Sequence, residues 1–261
     1  MVRILSAAVL VPIVVGGIWF FTPWQLLLLA EAVLLLAFVE YAGIAARLET
    51  PIARIVAGTA AAASCAAVAW PGIPLEVVLM AATIALAAVA LSAGPPRPAL
   101  VRSLAAGLFP ALYLGLPLGA LVALRATGGR EAVLLLVLTV AASDTAQFYI
   151  GSLVGRTPLA PAISPKKTVE GALGGLVAGP AFLAIVGAWW LPGVAWPWRL
   201  VLGVIVVACG ILGDLFESML KRSAGVKDSS GLVPGHGGIL DRIDALLFAA
   251  PAYYLFLRSA L

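Results

Sequence analysis

The sequence predicts an all-α, polytopic integral membrane protein of about nine transmembrane helices. Three observations carry that reading. Of the 261 residues 63% are hydrophobic, only 11% are charged, and the mean hydropathy is +1.12. A soluble domain of this length carries about 25% charged residues. So little polar surface cannot coat a water-soluble globule, and lipid must cover much of the chain. The net charge of +4 is small and dispersed, which argues against nucleic-acid binding. Cys65 and Cys209 stand singly inside apolar runs and read as small packing residues.

A crossing helix needs about 20 apolar residues. Nine runs answer to that length, at roughly 4–21, 24–46, 52–70, 75–93, 103–124, 131–154, 169–190, 199–220 and 241–258. Turn signals part them: Thr22-Pro23, Glu49-Thr50-Pro51, Pro71-Gly72, Gly94-Pro95-Pro96, Gly128-Gly129 and Pro192-Gly193. Arg3 before the first run suits a signal peptide, but no small-x-small cleavage site follows. The run therefore reads as a retained span.

Direction follows from the basic residues. Twelve of the 16 Lys and Arg fall on the amino-terminal side, and Arg125, Arg130, Arg199 and Arg258 fall on the other. The positive-inside rule predicts a cytoplasmic amino terminus. Polar loops 155–168 and 221–240 then face the cytoplasm. Residues 1–261 read as one transmembrane domain, with 1–130 mainly scaffold spans and 131–261 the catalytic half.

All five aspartates (Asp144, Asp214, Asp228, Asp241, Asp244), all four lysines (Lys166, Lys167, Lys221, Lys227) and the only histidine, His236, lie between 144 and 244. Ionisable groups in or beside spans are costly and usually functional. Asp144 lies about 15 Å below the cytoplasmic end of its span and Asp214 about 9 Å. An aspartate cannot snorkel that far, so each needs water, a cation or a basic partner. Asp214, Glu217, Ser218 and Lys221 form one helical stripe, in which two carboxylates one turn apart can share a hard cation. Asp241 and Asp244 open the last span, where the helix dipole favours negative charge. Capping and a salt bridge to Arg242 are the plainer alternative for that pair.

Between them, Pro234-Gly235-His236-Gly237-Gly238 lets backbone amides approach a ligand. Such amides beside Lys221, Arg222 and Lys227 suit phosphate. His236 reads as a phosphate-contacting or loop-ordering group. In the other loop, Ser164-Pro165 fits a helix start, and Lys166 and Lys167 offer point charges for an anion or plain positive-inside anchoring. Gly171, Gly175 and Gly179 form a close-packing helix face, within one chain or between two. These features suit an enzyme handling a polyphosphate and a lipid, or a cation-coupled transporter. Transporters show paired halves, whereas polarity here sits in one half only, which favours the enzyme.

The stretch Ser218-x-Leu220-Lys221-Arg222-x4-Lys227-Asp228-x-Ser230-x2-Val233-Pro234-x-His236-Gly237-Gly238-Ile239-x-Asp241-Arg242-Ile243-Asp244 resembles the diagnostic motif of the phosphatidate cytidylyltransferases. Val233 stands where that family usually carries Leu, Ile or Phe. Asp144-Thr-Ala-Gln-Phe-Tyr149-x-Gly151 and Ser164-Pro-Lys-Lys-Thr-x-Glu-Gly171 are also similar, with Gln147 at a position usually held by a small residue. The resemblance implies condensation of CTP with phosphatidate, release of pyrophosphate, and Mg2+ as cofactor, with a second cation as an option. It implies Asp214 and Asp241 as principal metal ligands, supported by Asp144, Glu217 and Asp244. Lys167, Lys221, Arg222 and Lys227 hold phosphates in this reading. Ser164, Lys166, Ser218, Asp228, His236, Gly237, Gly238 and Arg242 complete the substrate contacts. It also implies a bacterial inner membrane location, a cytoplasm-facing site and a homodimer as one assembly.

Overall fold

In hydrocarbon every backbone N–H and C=O must be bonded within the chain, and a helix does this locally. The computed structural model describes residues 12–70, 72–95, 98–232 and 237–260. Residues 12–20 are helical (α1). Then follow α2 (Pro23–Arg47), α3 (Arg54–Ala69), α4 (Leu75–Ser92), α5 (Leu100–Pro110), a π-helical turn (Ala111–Gly115) and α6 (Leu116–Val154). Strands β1 (Pro158–Ala160) and β2 (Ser164–Thr168) precede α7 (Val169–Trp190), α8 (Trp196–Ser223) and α9 (Leu240–Ala260). Among the described residues five stretches are long and apolar enough to cross a bilayer: Pro23–Arg47, Leu75–Ser92, Leu100–Val154, Val169–Trp190 and Trp196–Ser223. The chain is an all-α membrane protein with one small hairpin. Most of the predicted 4–21 span lies outside the described residues.

The breaks have local causes. Thr22 caps α2 in a reciprocal box, its backbone N–H donating to Gln25 Oε1 at 2.9 Å, and Pro23 takes the first turn. Leu100–Val154 is 55 residues long, about 80 Å as a straight helix and more than twice the hydrocarbon thickness. Gly129, with φ 75° and ψ −176°, kinks it into two runs. Only glycine takes that backbone without strain, and the kink falls at the expected Gly128-Gly129 break.

Loop 155–168 is not loop throughout. It folds back as an antiparallel pair, Pro158 opposite Thr168 and Ala160 opposite Ser164, with an irregular register between. The expected helix start at Ser164-Pro165 is corrected accordingly. Those residues lie in β2, and α7 starts at Val169, where Thr168 Oγ1 accepts from Gly171 N at 3.1 Å. A two-stranded hairpin has only outer edges, where proline's missing donor costs little.

Two large apolar cores hold the bundle, with a small cluster of Ala60, Ala82 and Ala111 joining α4 to it. One joins α2, α3 and the π turn to Leu240 and Leu247 of α9, and the other joins α6, α7 and α8 to Ala249, Tyr253 and Leu257 of α9. α9 therefore runs between both cores, which is how it carries acidic residues without presenting them to lipid. The glycine face of α7 packs within the chain. A Cβ on Gly171 would stand 2.7 Å from Gln147 O, and one on Gly175 would stand 2.6 Å from Gln147 Cγ. α7 meets α8 as closely, since a Cβ on Gly203 would stand 2.5 Å from Pro180 Cα.

Gly203→Ala must push two backbones apart and is expected to cost about 1–3 kcal/mol. Gly43→Ala, with nothing within 4 Å of the added carbon and a helical backbone, should raise stability by about 0.5–1 kcal/mol. Thermal unfolding of both variants in detergent checks the contrast.

Candidate active site

A cavity of about 830 Å³ opens among α6, β2, α7, α8 and α9. Every aspartate and every lysine of the chain lines it: Asp144 from α6, Lys166 and Lys167 from β2, Asp214 and Lys221 from α8, Lys227 and Asp228 from the following loop, and Asp241 and Asp244 from α9. Arg222 and Arg242 join them. Residues 100 positions apart in sequence thus share one polar chamber inside an apolar bundle.

The chamber has two kinds of cation. Lys166, Arg222, Lys227 and Arg242 are exposed at its mouth. Lys167 and Lys221 are committed inside. Lys167 Nζ pairs with Asp214, and Lys221 Nζ pairs with both Glu217 and Asp241. The Glu217 side chain is wholly buried and that of Lys221 only 9% exposed. Asp144 and Asp244 both lie within electrostatic reach of Asp214 and Lys167. Gln147 Nε2 donates to Asp144 Oδ1 and to Ser143 Oγ, each at 3.1 Å, so the residue at this unusual position holds the aspartate.

Asp241 is the hub of the loop. Its Oδ1 takes Lys221. Its Oδ2 accepts from Gly238 N at 2.7 Å and Ser229 N at 3.0 Å, and lies 2.8 Å from Ser229 Oγ. Gly237 turns with φ 80°, and a Cβ there would stand 2.6 Å from that same oxygen. The hairpin is fastened by Glu170, whose carboxylate accepts from Arg156 N at 3.1 Å, Thr157 N at 3.2 Å and Thr157 Oγ1 at 2.9 Å. Arg222 Nε donates to Ile163 O at 3.3 Å, tying α8 to the hairpin tip.

Not every expected residue faces the chamber. Ser164, Ser218, Gly237 and Gly238 are not on its wall, and Glu217 lies behind Lys221. His236, with Val233, Pro234 and Gly235, lies outside the described residues. Sequence reasoning missed Glu40. From the middle of α2, its carboxylate accepts from Ile239 N at 2.9 Å, Leu240 N at 2.8 Å and Ser230 Oγ at 2.6 Å, and lies 2.9 Å from Ser229 Oγ. Ser229 has one hydroxyl hydrogen, so it serves Glu40 or Asp241 at any moment. The signal was present: a carboxylate inside an apolar run marks a site or a buried network.

The comparisons follow the same residues. A model described as the cytidylyltransferase family matches residues 1–260. The phosphatidate cytidylyltransferase of Synechocystis sp. is 50% identical over 119 residues, 44% of this chain and 39% of that protein. That of Helicobacter pylori (strain J99) is 37% identical over 186 residues, 71% of this chain and 66% of that protein. That of Aquifex aeolicus is 42% identical over 125 residues, 48% and 46% respectively. The chain thus spans between two fifths and two thirds of the length of these curated relatives.

Two variants test the charge network. Glu40→Ala strands the donors of Ile239 and Leu240 and should cost about 1–3 kcal/mol, with faster amide exchange across 229–240 by hydrogen-exchange mass spectrometry. Lys221→Met leaves Glu217 and Asp241 buried without their cation, at about 3–5 kcal/mol. Adding Glu217→Gln to it should recover part of that loss in the same thermal assay.

Proposed function

The chain belongs to the cytidylyltransferase family, and from that premise we propose that it transfers the cytidylyl group of CTP to phosphatidate, giving CDP-diacylglycerol and pyrophosphate. The observation that carries this reading is the gathering of all aspartates and lysines into one cavity at the end of an apolar bundle. The three curated relatives named above as phosphatidate cytidylyltransferases support the acceptor.

Both substrates are anions, and the first task is to bring them together. The exposed ring of Lys166, Arg222, Lys227 and Arg242 attracts nucleotide phosphates and the lipid headgroup, while the acyl chains stay in the bilayer. The lipid phosphate already carries the nucleophilic oxygen, so no covalent protein nucleophile is required. Its oxygen bonds to the α-phosphorus of CTP as the bond to the bridging oxygen breaks, and pyrophosphate leaves with that electron pair. Catalysis is then positioning and charge neutralisation.

Lys167 is poised between Asp214 and the cavity, and moves between carboxylate and phosphate as substrate arrives. Lys221 acts from behind, fixing Asp241 and, through Ser229 and Gly238, the loop that carries Lys227.

The donor set fits a hard divalent cation. Asp144, Asp214 and Asp244 offer oxygens on one wall with Lys167 as their near cation. Among the described residues no three acidic, His or Cys side chains converge as a closed cage. Mg2+ uses one or two carboxylates plus substrate phosphates rather than such a cage. Asp214, with either Asp144 or Asp244, would hold it together with substrate phosphates. Asp241 and Glu217 are the less available expected ligands, because Lys221 and the loop amides engage them. When bound, the cation would offset the repulsion between the two anions and stabilise the departing pyrophosphate. A second cation at the same wall remains part of the proposal. So do nine spans, the cytoplasmic amino terminus and a cytoplasm-facing cavity in a bacterial inner membrane, which the basic-residue asymmetry supports.

Purified protein in detergent, given phosphatidate and CTP labelled at the α-phosphate, should move label into the lipid phase with equimolar pyrophosphate, and only with Mg2+ present. Asp214→Asn should lower kcat by about a hundredfold or more. Folded, CTP-binding protein that transfers no label would refute phosphatidate as acceptor.

A further inference from the structure

A second cavity, of about 450 Å³, lies on the opposite face of α8 from the active-site chamber. Three helical stripes build it. Tyr41, Ile44 and Ala45 of α2 with Leu48 at its C-cap form the first, Arg102, Ala105, Ala106 and Phe109 of α5 the second, and Phe216 and Leu220 of α8 the third, and Thr50 also lines it. The first two sets follow i, i+3, i+4, i+7, so each is one face of its helix. From Arg102 to Phe109 the groove runs two turns, about 10 Å. Its wall is apolar, and the one phenol in it is already satisfied, Tyr41 OH donating to Ala106 O at 2.8 Å.

The mouth is different. Arg102 is exposed, and among the described residues it is the one charged side chain on the groove. Among the described residues no carboxylate lies within ion-pair reach of it. It sits at the start of α5, beside the ends of α2 and α8, so the cation stands where the bundle leaves the hydrocarbon and the apolar slot runs inward from it. We propose that this groove binds an anionic glycerophospholipid of the surrounding bilayer, one acyl chain lying along the three stripes and the phosphate pairing with Arg102.

Length and charge select this occupant. A partner helix crossing the membrane presents about 20 apolar residues, whereas the groove is two turns deep and closed below by Phe109 and Phe216. A free anion has no use for an apolar slot. An acyl chain with a phosphate at its head matches both ends. The two cavities share no residue but share α8 as a wall. Phe216 and Leu220 face the lipid site, and Asp214 and Lys221 face the chamber. A chain in the groove therefore braces the helix that carries the chamber's carboxylates and its buried lysine.

The test reads binding and does not depend on which reaction the chamber performs. Photoreactive phosphatidylglycerol and phosphatidylcholine, each with a diazirine in one acyl chain, are incorporated with purified protein into mixed micelles, illuminated, and mapped by peptide mass spectrometry. The expected result is labelling concentrated on 41–48, 102–109 and 216–220, stronger for the anionic probe. Ala105→Trp, which fills the slot, should remove that labelling. Arg102→Gln, an exposed change that leaves folding intact, should reduce the preference for the anionic probe by about fivefold, the scale of one basic residue at an anionic surface. Labelling spread evenly over lipid-facing helices such as α4, or an unchanged preference in Arg102→Gln, would overturn the proposal.

Discussion

The buried ammonium of Lys221 is the interaction on which the rest of the site depends. It lies at the end of α8 between Glu217 of the same helix and Asp241 of α9. Three charges removed from water cost several kcal/mol each unless every one is matched. At Asp241 the negative charge is met by further donors. Asp241 takes backbone amides of Ser229 and Gly238, and Ser229 stands between Asp241 and Glu40. Glu40 then holds both ends of the loop from α2. One connected network therefore sets the relation of α2, α8, α9 and the 227–240 loop. A half-satisfied version would be worse than an apolar core.

The bilayer imposes the second constraint. Large apolar side chains such as Met80, Ile84 and Leu91 on α4 and Leu173 and Val177 on α7 are exposed on the bundle surface. On a soluble monomer such faces would be a liability, but against lipid they cost nothing. Charged groups have the opposite preference and are drawn inward. α9, set between two apolar cores, brings Asp241 and Asp244 into the bundle facing the polar chamber.

This division suits the proposed meeting of a lipid phosphate with a nucleotide. The chamber presents exposed cations at its mouth and carboxylate-paired ones within. The hairpin and the loop that supply Lys166, Lys167 and Lys227 are each anchored by a carboxylate, one close to its lysines in sequence and one distant. Glu170 fastens the hairpin and Glu40 the loop. Rigid placement of point charges is what charge-neutralising catalysis requires.

Much of this was legible in one dimension, because hydrocarbon reads composition directly. Helix positions follow from runs of apolar residues, breaks from Pro and Gly, and the location of chemistry from the confinement of Asp and Lys to 144–244. Spacing along α8 placed Asp214, Glu217 and Lys221 on one face, but which of them is free was decided elsewhere. Asp241, 20 residues on, engages Lys221, and Lys167, 47 residues back, engages Asp214. The hairpin at 158–168 escaped because five residues with a proline carry no strand period, and its pairing exists only once Glu170 closes it. Glu40 escaped because a lone carboxylate in an apolar run has no local partner. Its donors lie 189–200 residues away, and only the packing of α2 against the loop before α9 brings them within 3 Å. Sequence alone determined what must avoid lipid. The tertiary structure decided which charges neutralise one another, since that depends on distances between helices that no periodicity within a helix can encode.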